Sequence, residues 1–211
     1  MANLKARYTD GARRGFFKIG VVLARWGFTA DILTILGLVL AVGVVPLILG
    51  SHFVWAVLVG VIASVCDAVD GAVARAGTGP TKAGAFLDST TDRISELLVS
   101  GALVVNFARQ EQLWPMVGVL VFMGAAQLVS YTRARAEALG VECKVGLMSR
   151  PERLVLLGVG FLLSGWHIGP ASVLVWVVYL LAVLTSLTVL RRMVHVLRKL
   201  RAADDGPAPA A

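Results

Sequence analysis

Residues 67–92 gather four carboxylates and an arginine into a short stretch of an otherwise apolar chain. They read Asp67-Ala68-Val69-Asp70-Gly71-Ala72-Val73-Ala74-Arg75 and, after a break, Gly84-Ala85-Phe86-Leu87-Asp88-Ser89-Thr90-Thr91-Asp92. Asp67 and Asp70 stand three apart, hence on one helix face. Gly84, Asp88 and Asp92 follow at a spacing of four, again one face. Gly71 allows a ligand close to the backbone, and Arg75 lies one turn beyond it on the same face. One Asp at the centre of a membrane helix costs roughly 2.5–3.5 kcal/mol, so four would cost on the order of 10. A divalent cation bound at a helix end that water reaches offsets that cost, and oxygen ligands suit Mg2+ or Mn2+. Such ions clamp phosphate oxygens, and an arginine forks onto a phosphate. The spacing alone leaves three readings open: a metal-dependent phosphoryl or phosphatidyl transferase, a transporter with a carboxylate relay, and interfacial charges with no site.

The elements that position these residues must be membrane helices. The chain has 211 residues, 57% of them hydrophobic, and a mean hydropathy of +0.80. Soluble domains are roughly 45–50% apolar. A transmembrane helix needs about 20 mostly apolar residues. Apolar runs near 32–50, 53–66, 94–108, 113–130, 154–168 and 171–190 predict an all-α protein of six spans. Gly77, Gly79 and Pro80 break the chain between the two halves of the carboxylate stretch, which therefore lie on consecutive, antiparallel helices. Residues 10–28 place Arg13, Arg14, Lys18 and Arg25 among Phe16, Phe17, Leu23 and Trp26, the pattern of an amphipathic helix in the headgroup layer. The charged start lacks a clean apolar core, so no signal peptide is expected. Thr29 or Asp31 caps the first span, and Pro151 opens the fifth. Residues 1–201 are expected to form one membrane domain, and 202–211 a disordered tail.

The net charge of +7 has a topological source. With six spans and both termini on one side, every Lys and Arg except Arg109 falls on that side. The opposite loops, 50–52, 109–114 and 165–170, are short. This is the positive-inside pattern, so the basic side is cytoplasmic and nucleic acid is not an expected partner. The expected location is the plasma membrane, with the carboxylate site on its cytoplasmic side. A disulfide between Cys66 and Cys143 is not expected there. His52, His167 and His195 read as interfacial rather than catalytic.

The full string matches Asp-x-x-Asp-Gly-x-x-Ala-Arg-x(8)-Gly-x-x-x-Asp-x-x-x-Asp position for position. It resembles the CDP-alcohol phosphotransferase family over residues 10–200. The resemblance implies a six-helix membrane enzyme, usually a homodimer, that moves a phosphatidyl-type group from a CDP-linked donor to an alcohol and releases CMP. By resemblance, Asp67, Asp70 and Asp88 are metal ligands, for two Mg2+ or Mn2+ ions. Asp92 is the base for the acceptor hydroxyl and also touches the second metal. Asp31, Thr34, Gly71, Ala74, Arg75 and Thr81 contact the donor, CDP-diacylglycerol. Ala30 stands where the family usually has proline.

The motif ends Asp88-Ser89-Thr90-Thr91-Asp92-Arg93, a form similar to the actinobacterial phosphatidylinositol phosphate synthases of that family. The implied acceptor is 1D-myo-inositol 1-phosphate (the 3-phosphate by alternative numbering). Members that use glycerol 3-phosphate more often carry Pro after the third Asp and Lys after the fourth; they remain the alternative. A phosphorylated acceptor needs a basic pocket. By resemblance, Ser130, Arg133, Arg135, Arg153 and one of Arg191 and Arg192 form it. Topology alone also places arginines at these helix ends. The alternative of another class, a carboxylate-relay transporter, should tolerate loss of Gly71 and show flux without CMP release.

Overall fold

The computed structural model describes residues 19–77 and 79–204. Residues 10–18 of the expected interfacial helix lie outside the described residues, whereas 19–25 are helical. The longer helices are Ala30–Leu49 (α1), Phe53–Ala76 (α2), Lys82–Arg109 (α3), Leu113–Ala138 (α4), Arg150–Leu162 (α5) and Val173–Asp204 (α6). Two short strands, His167–Ile168 (β1) and Ala171–Ser172 (β2), pair antiparallel between α5 and α6. Gly169 supplies the positive φ of +60° that their two-residue connection requires.

Local chemistry accounts for the helix starts. Thr29 is extended and its hydroxyl accepts from the Ile32 N–H at 3.3 Å, so Thr29 is the cap of α1. Asp31 then sits in the first turn, where the helix dipole favours a negative charge. Ser149 stands extended at the N-cap position of α5 with its hydroxyl donating to the Glu152 carboxylate, and Pro151 lies in the first turn, where the sequence places it. The Thr81 hydroxyl accepts from the Gly84 N–H at 2.9 Å and opens α3.

Among the described residues, α1, α2, α4 and α6 are long and apolar enough to cross a membrane. α3 has the length, but Asp88, Asp92, Arg93 and Glu96 crowd its N-terminal half. α5 has 13 residues, a rise of about 20 Å against a hydrocarbon core of about 30 Å. Its helix stops at Leu162, six residues before the apolar run ends. Ser164, Gly165, Gly169 and Pro170 favour turns there, and the chain spends them on a bend and the hairpin. At the other end α6 continues through Asp204, so residues 202–204 of the expected tail are helical; 205–211 lie outside the described residues.

The chain divides into two compact units between Ala102 and Leu103, within α3. In the first, α1 and α2 pack as a hairpin around buried Leu33, Val69 and Val73. Leu23 and Ala24 of the preceding helical segment pack on the same cluster. A Cβ on Gly20 would lie 2.7 Å from the Ala72 carbonyl carbon, so only glycine lets that segment approach α2 so closely. In the second unit α6 packs against α4 and α5. Ala125, Val129 and Val189 form a buried cluster between α4 and α6. Trp55, Trp114, Val155 and Val183 are exposed on the outer faces, a pattern suited to lipid contact.

Candidate active site

The carboxylates converge at the end of the first unit's helical hairpin. Asp67 and Asp70 lie in the last turns of α2, and Asp88 lies in the second turn of α3. One carboxylate oxygen from each lies within 4.8 Å of the others. Asp70 is buried, and Asp67 and Asp88 are half-buried. The turn between the helices makes this possible. The Gly77 N–H donates to the Val73 carbonyl at 3.0 Å, and the Gly79 N–H donates to the Ala74 carbonyl at 2.9 Å. Gly79 has a φ of +88°, which reverses the chain before Thr81 starts α3.

The residues that the resemblance assigns to the donor lie near this trio. The Thr34 hydroxyl of α1 donates to Asp70 Oδ2 at 2.8 Å, with the Ala30 carbonyl a second acceptor at 3.1 Å. Thr34 therefore orients a carboxylate, a role that its place in the motif does not reveal. A Cβ on Gly84 would lie 3.1 Å from Thr81 Oγ1 and 3.5 Å from Asp31 Oδ1, so these two oxygens flank the Gly84 backbone. Exposed Arg75 folds back along α2: its Nη1 lies 3.4 Å from where a Gly71 Cβ would stand. Ala74 is half-buried between them on the helix.

The trio fits a hard divalent cation. Two unit charges about 4 Å apart repel by roughly 4 kcal/mol at an effective dielectric constant of about 20. A cation among three carboxylates this close removes that repulsion. The converging donors are all oxygens, the set that Mg2+ or Mn2+ prefers. Asp92 stands one turn beyond Asp88 on α3 and is half-buried, outside the converging trio.

The second unit separates the arginines that the sequence grouped. Arg153 and Arg192 are buried, with 1% and 5% of their surface exposed. Arg133, Arg135 and Arg191 are exposed, and Ser130 is half-buried. Arg133 pairs with Glu137 at 2.8 Å on the surface of α4, an ion pair worth about 0–1 kcal/mol. Arg192 Nε donates to the Val145 carbonyl at 2.9 Å, and its Nη1 donates to the Val129 carbonyl. Arg153 Nη1 donates to the Met148 carbonyl at 3.0 Å. Both guanidiniums thus bind the backbone of the 139–149 connection.

Sequence reasoning missed Thr188 and Gly146, which dock that connection onto α6. The Met148 N–H donates to Thr188 Oγ1 at 3.3 Å. Thr185, Thr188 and Arg192 are buried at a spacing of three and four, a polar stripe on one face of an apolar helix. That stripe was the available signal. His195 Nε2 lies 3.4 Å from the Glu142 carbonyl, a contact with the same connection. Beside it, Lys144 bonds to exposed Glu142 and holds that carboxyl below the usual range. Cys66 and Cys143 form no disulfide.

Comparison with known proteins gives a consistent set of relatives. A family model described as CDP-alcohol phosphatidyltransferase matches residues 28–186. The chain is 36% identical over 208 residues to the phosphatidylinositol phosphate synthase of Mycobacteroides abscessus, covering 92% of this chain and 90% of that one. It is similar to the crystal structure of Mycobacterium tuberculosis phosphatidylinositol phosphate synthase with CDP-DAG bound, at a TM-score of 0.79 and 32% identity, covering 87% of this chain and 94% of that one. The same enzyme in complex with manganese and citrate matches at a TM-score of 0.77 and 32% identity, covering 86% and 88%.

Proposed function

We propose that this chain, which belongs to the CDP-alcohol phosphatidyltransferase family, transfers phosphatidyl from CDP-diacylglycerol to 1D-myo-inositol 1-phosphate, giving phosphatidylinositol phosphate and CMP. The observation that carries the chemistry is the convergence of Asp67, Asp70 and Asp88 from two helices. The acceptor assignment is supported by the relatives named above and by the Asp-Ser-Thr-x-Asp-Arg form of the motif.

Asp67, Asp70 and Asp88 would hold Mg2+ or Mn2+, with Asp92 reaching a second ion. When bound, such ions neutralise the donor's pyrophosphate oxygens and stabilise departing CMP. The chain's own residues do the rest. Thr34 keeps the Asp70 carboxylate turned inward. Asp31, Gly71, Ala74, Arg75 and Thr81 would hold the donor, with Arg75 forking onto a phosphate at the exposed edge. Asp92 would accept the proton of the inositol hydroxyl as its oxygen bonds to the phosphatidyl phosphorus. The bond from that phosphorus to the CMP oxygen breaks in exchange. A hydroxyl is a poor nucleophile without such a base, which typically contributes 10²–10⁴-fold.

Arg153 and Arg192 would bind the acceptor's phosphate, with Ser130, Arg133, Arg135 and Arg191 contributing at its edge. Burial favours Arg192 over Arg191 as the principal contact. The reading includes six spans, with α3 as the third and α5, lengthened by the hairpin that follows it, as the fifth. It also includes a single catalytic domain over 1–201, a homodimer, and a plasma-membrane location with the site on the cytoplasmic side, the side the basic residues mark. The test is metal dependence in lipid nanodiscs. CMP release from CDP-diacylglycerol and inositol 1-phosphate should vanish in EDTA and return with Mg2+ or Mn2+. Turnover that persists in EDTA would overturn the reading.

A further inference from the structure

The 139–149 connection is fastened to α6 at several points, and one of them lies next to a proposed acceptor contact. Met148 is buried and held on both sides of its Cα. Its N–H donates to Thr188 Oγ1 at 3.3 Å, and its carbonyl accepts from Arg153 Nη1 at 3.0 Å. The Thr188 hydroxyl spends its own hydrogen on the Leu184 carbonyl at 2.8 Å, within α6. That bond turns an oxygen lone pair toward Met148. Thr188 has 1% of its surface exposed, so water does not readily replace its bond to Met148.

The connection also presses on the Thr188 methyl. Gly146 has a φ of +121°, and a Cβ there would overlap Thr188 Cγ2. Arg192 Nε meanwhile holds the neighbouring Val145 carbonyl at 2.9 Å. Both faces of the Thr188 side chain are thus in use: the hydroxyl fixes Met148 and the methyl seats Gly146. Met148 is followed directly by Ser149, the cap of α5, and Arg153 lies in the first turns of that helix.

We infer that Thr188 is a positioning residue for the acceptor phosphate, fixing through Met148 the place of the Arg153 guanidinium. The inference rests on the assignment of Arg153 to that phosphate. With Val at 188, the shape is kept but the Met148 N–H loses its acceptor. A buried N–H without a partner drives the backbone to shift, and the carbonyl one Cα away moves with it. Arg153 then follows its carbonyl or loses it.

The experiment uses the full chain in lipid nanodiscs, with inositol 1-phosphate and CDP-diacylglycerol each varied at saturation of the other. Thr188→Val should raise the acceptor KM by about three- to tenfold, the loss of one hydrogen bond. The donor KM and kcat should stay within about twofold. Thr188→Ser keeps the oxygen and should stay near the wild type. Arg153→Lys should itself raise the acceptor KM, because the fork is lost. In that background Thr188→Val should add little, since both changes disturb one guanidinium.

A Thr188→Val effect of full size in the Arg153→Lys background would overturn the inference, as would a normal acceptor KM in Thr188→Val beside an impaired Arg153→Lys. A fall in kcat with both KM values unchanged would mark Thr188 as merely structural and overturn it too. Normal acceptor KM values in both single variants would remove the acceptor reading of Arg153 and the inference with it. Should Thr188→Val fail to insert, Gly146→Ala, which pushes the connection off Thr188, carries the same expected rise in acceptor KM and the same refuting results.

Discussion

Replacing Thr34 by Val should weaken metal binding while sparing the chemistry once metal is saturating. Thr34 is 6% exposed, and its single hydroxyl hydrogen faces two acceptors. The Asp70 carboxylate is nearer, at 2.8 Å, and charged, so it outcompetes the Ala30 carbonyl at 3.1 Å. Val has nearly the same shape and leaves packing intact, but it cannot donate. A hydrogen bond to a charged group contributes roughly 1.5–3 kcal/mol. At about 1.4 kcal/mol per tenfold, that is a loss of about 10- to 100-fold in affinity for Mn2+, the range expected when a residue that orients a metal ligand is removed. The assay is activity against free Mn2+ for the wild type, Thr34→Val and Thr34→Ser. The half-saturating Mn2+ should rise by that factor in Thr34→Val, kcat at saturating Mn2+ should recover to within a few-fold, and Thr34→Ser should resemble the wild type. An unchanged Mn2+ midpoint with a uniformly lower kcat would refute the role assigned to Thr34.

Asp92→Asn should lower kcat by about 10²–10⁴ with donor affinity retained; intact kcat with weakened donor binding would make Asp92 a ligand instead. Asn at 67, 70 or 88 should abolish turnover and Mn2+ binding together, checked by metal analysis of the purified variants. Arg192→Ala should raise the acceptor KM by about ten- to a hundredfold and, by freeing the Val145 carbonyl, loosen the 139–149 connection, seen as faster hydrogen exchange at the Met148 N–H that bonds to Thr188. Arg191→Ala, at an exposed position, should change the acceptor KM by less than about threefold, and equal effects at the two positions would contradict the burial argument.

Much of the first unit was legible in the sequence because its chemistry is local. Asp67 and Asp70 share a helix face by spacing alone, and Gly77, Gly79 and Pro80 announce the turn that brings Asp88 to them. Thr29 and Pro151 act within a single turn of their helices, so their roles were also readable. What was not legible depends on partners distant in sequence. Thr34 binds Asp70 36 residues away, and a helix-interior threonine gives no sign of that. Arg191 and Arg192 are equivalent as composition; only the phase of α6, which buries Thr185, Thr188 and Arg192 on one face, distinguishes them. The end of α5 was misjudged because Trp166, His167 and Ile168 prolong the apolar run while the backbone has already turned at 163–165. Hydropathy records side chains, and the turn is set by Ser164 and Gly165.

The central claim concerns which alcohol receives the phosphatidyl group, and one measurement addresses it. Purified protein in nanodiscs would be given radiolabelled CDP-diacylglycerol and Mn2+ with inositol 1-phosphate, free inositol, glycerol 3-phosphate or serine in parallel, and the lipid products separated. The proposal predicts labelled phosphatidylinositol phosphate with inositol 1-phosphate and little product from the other three, since free inositol and serine offer no phosphate to Arg153 and Arg192. Faster turnover of glycerol 3-phosphate than of inositol 1-phosphate would contradict the substrate assignment while leaving membership of the family intact.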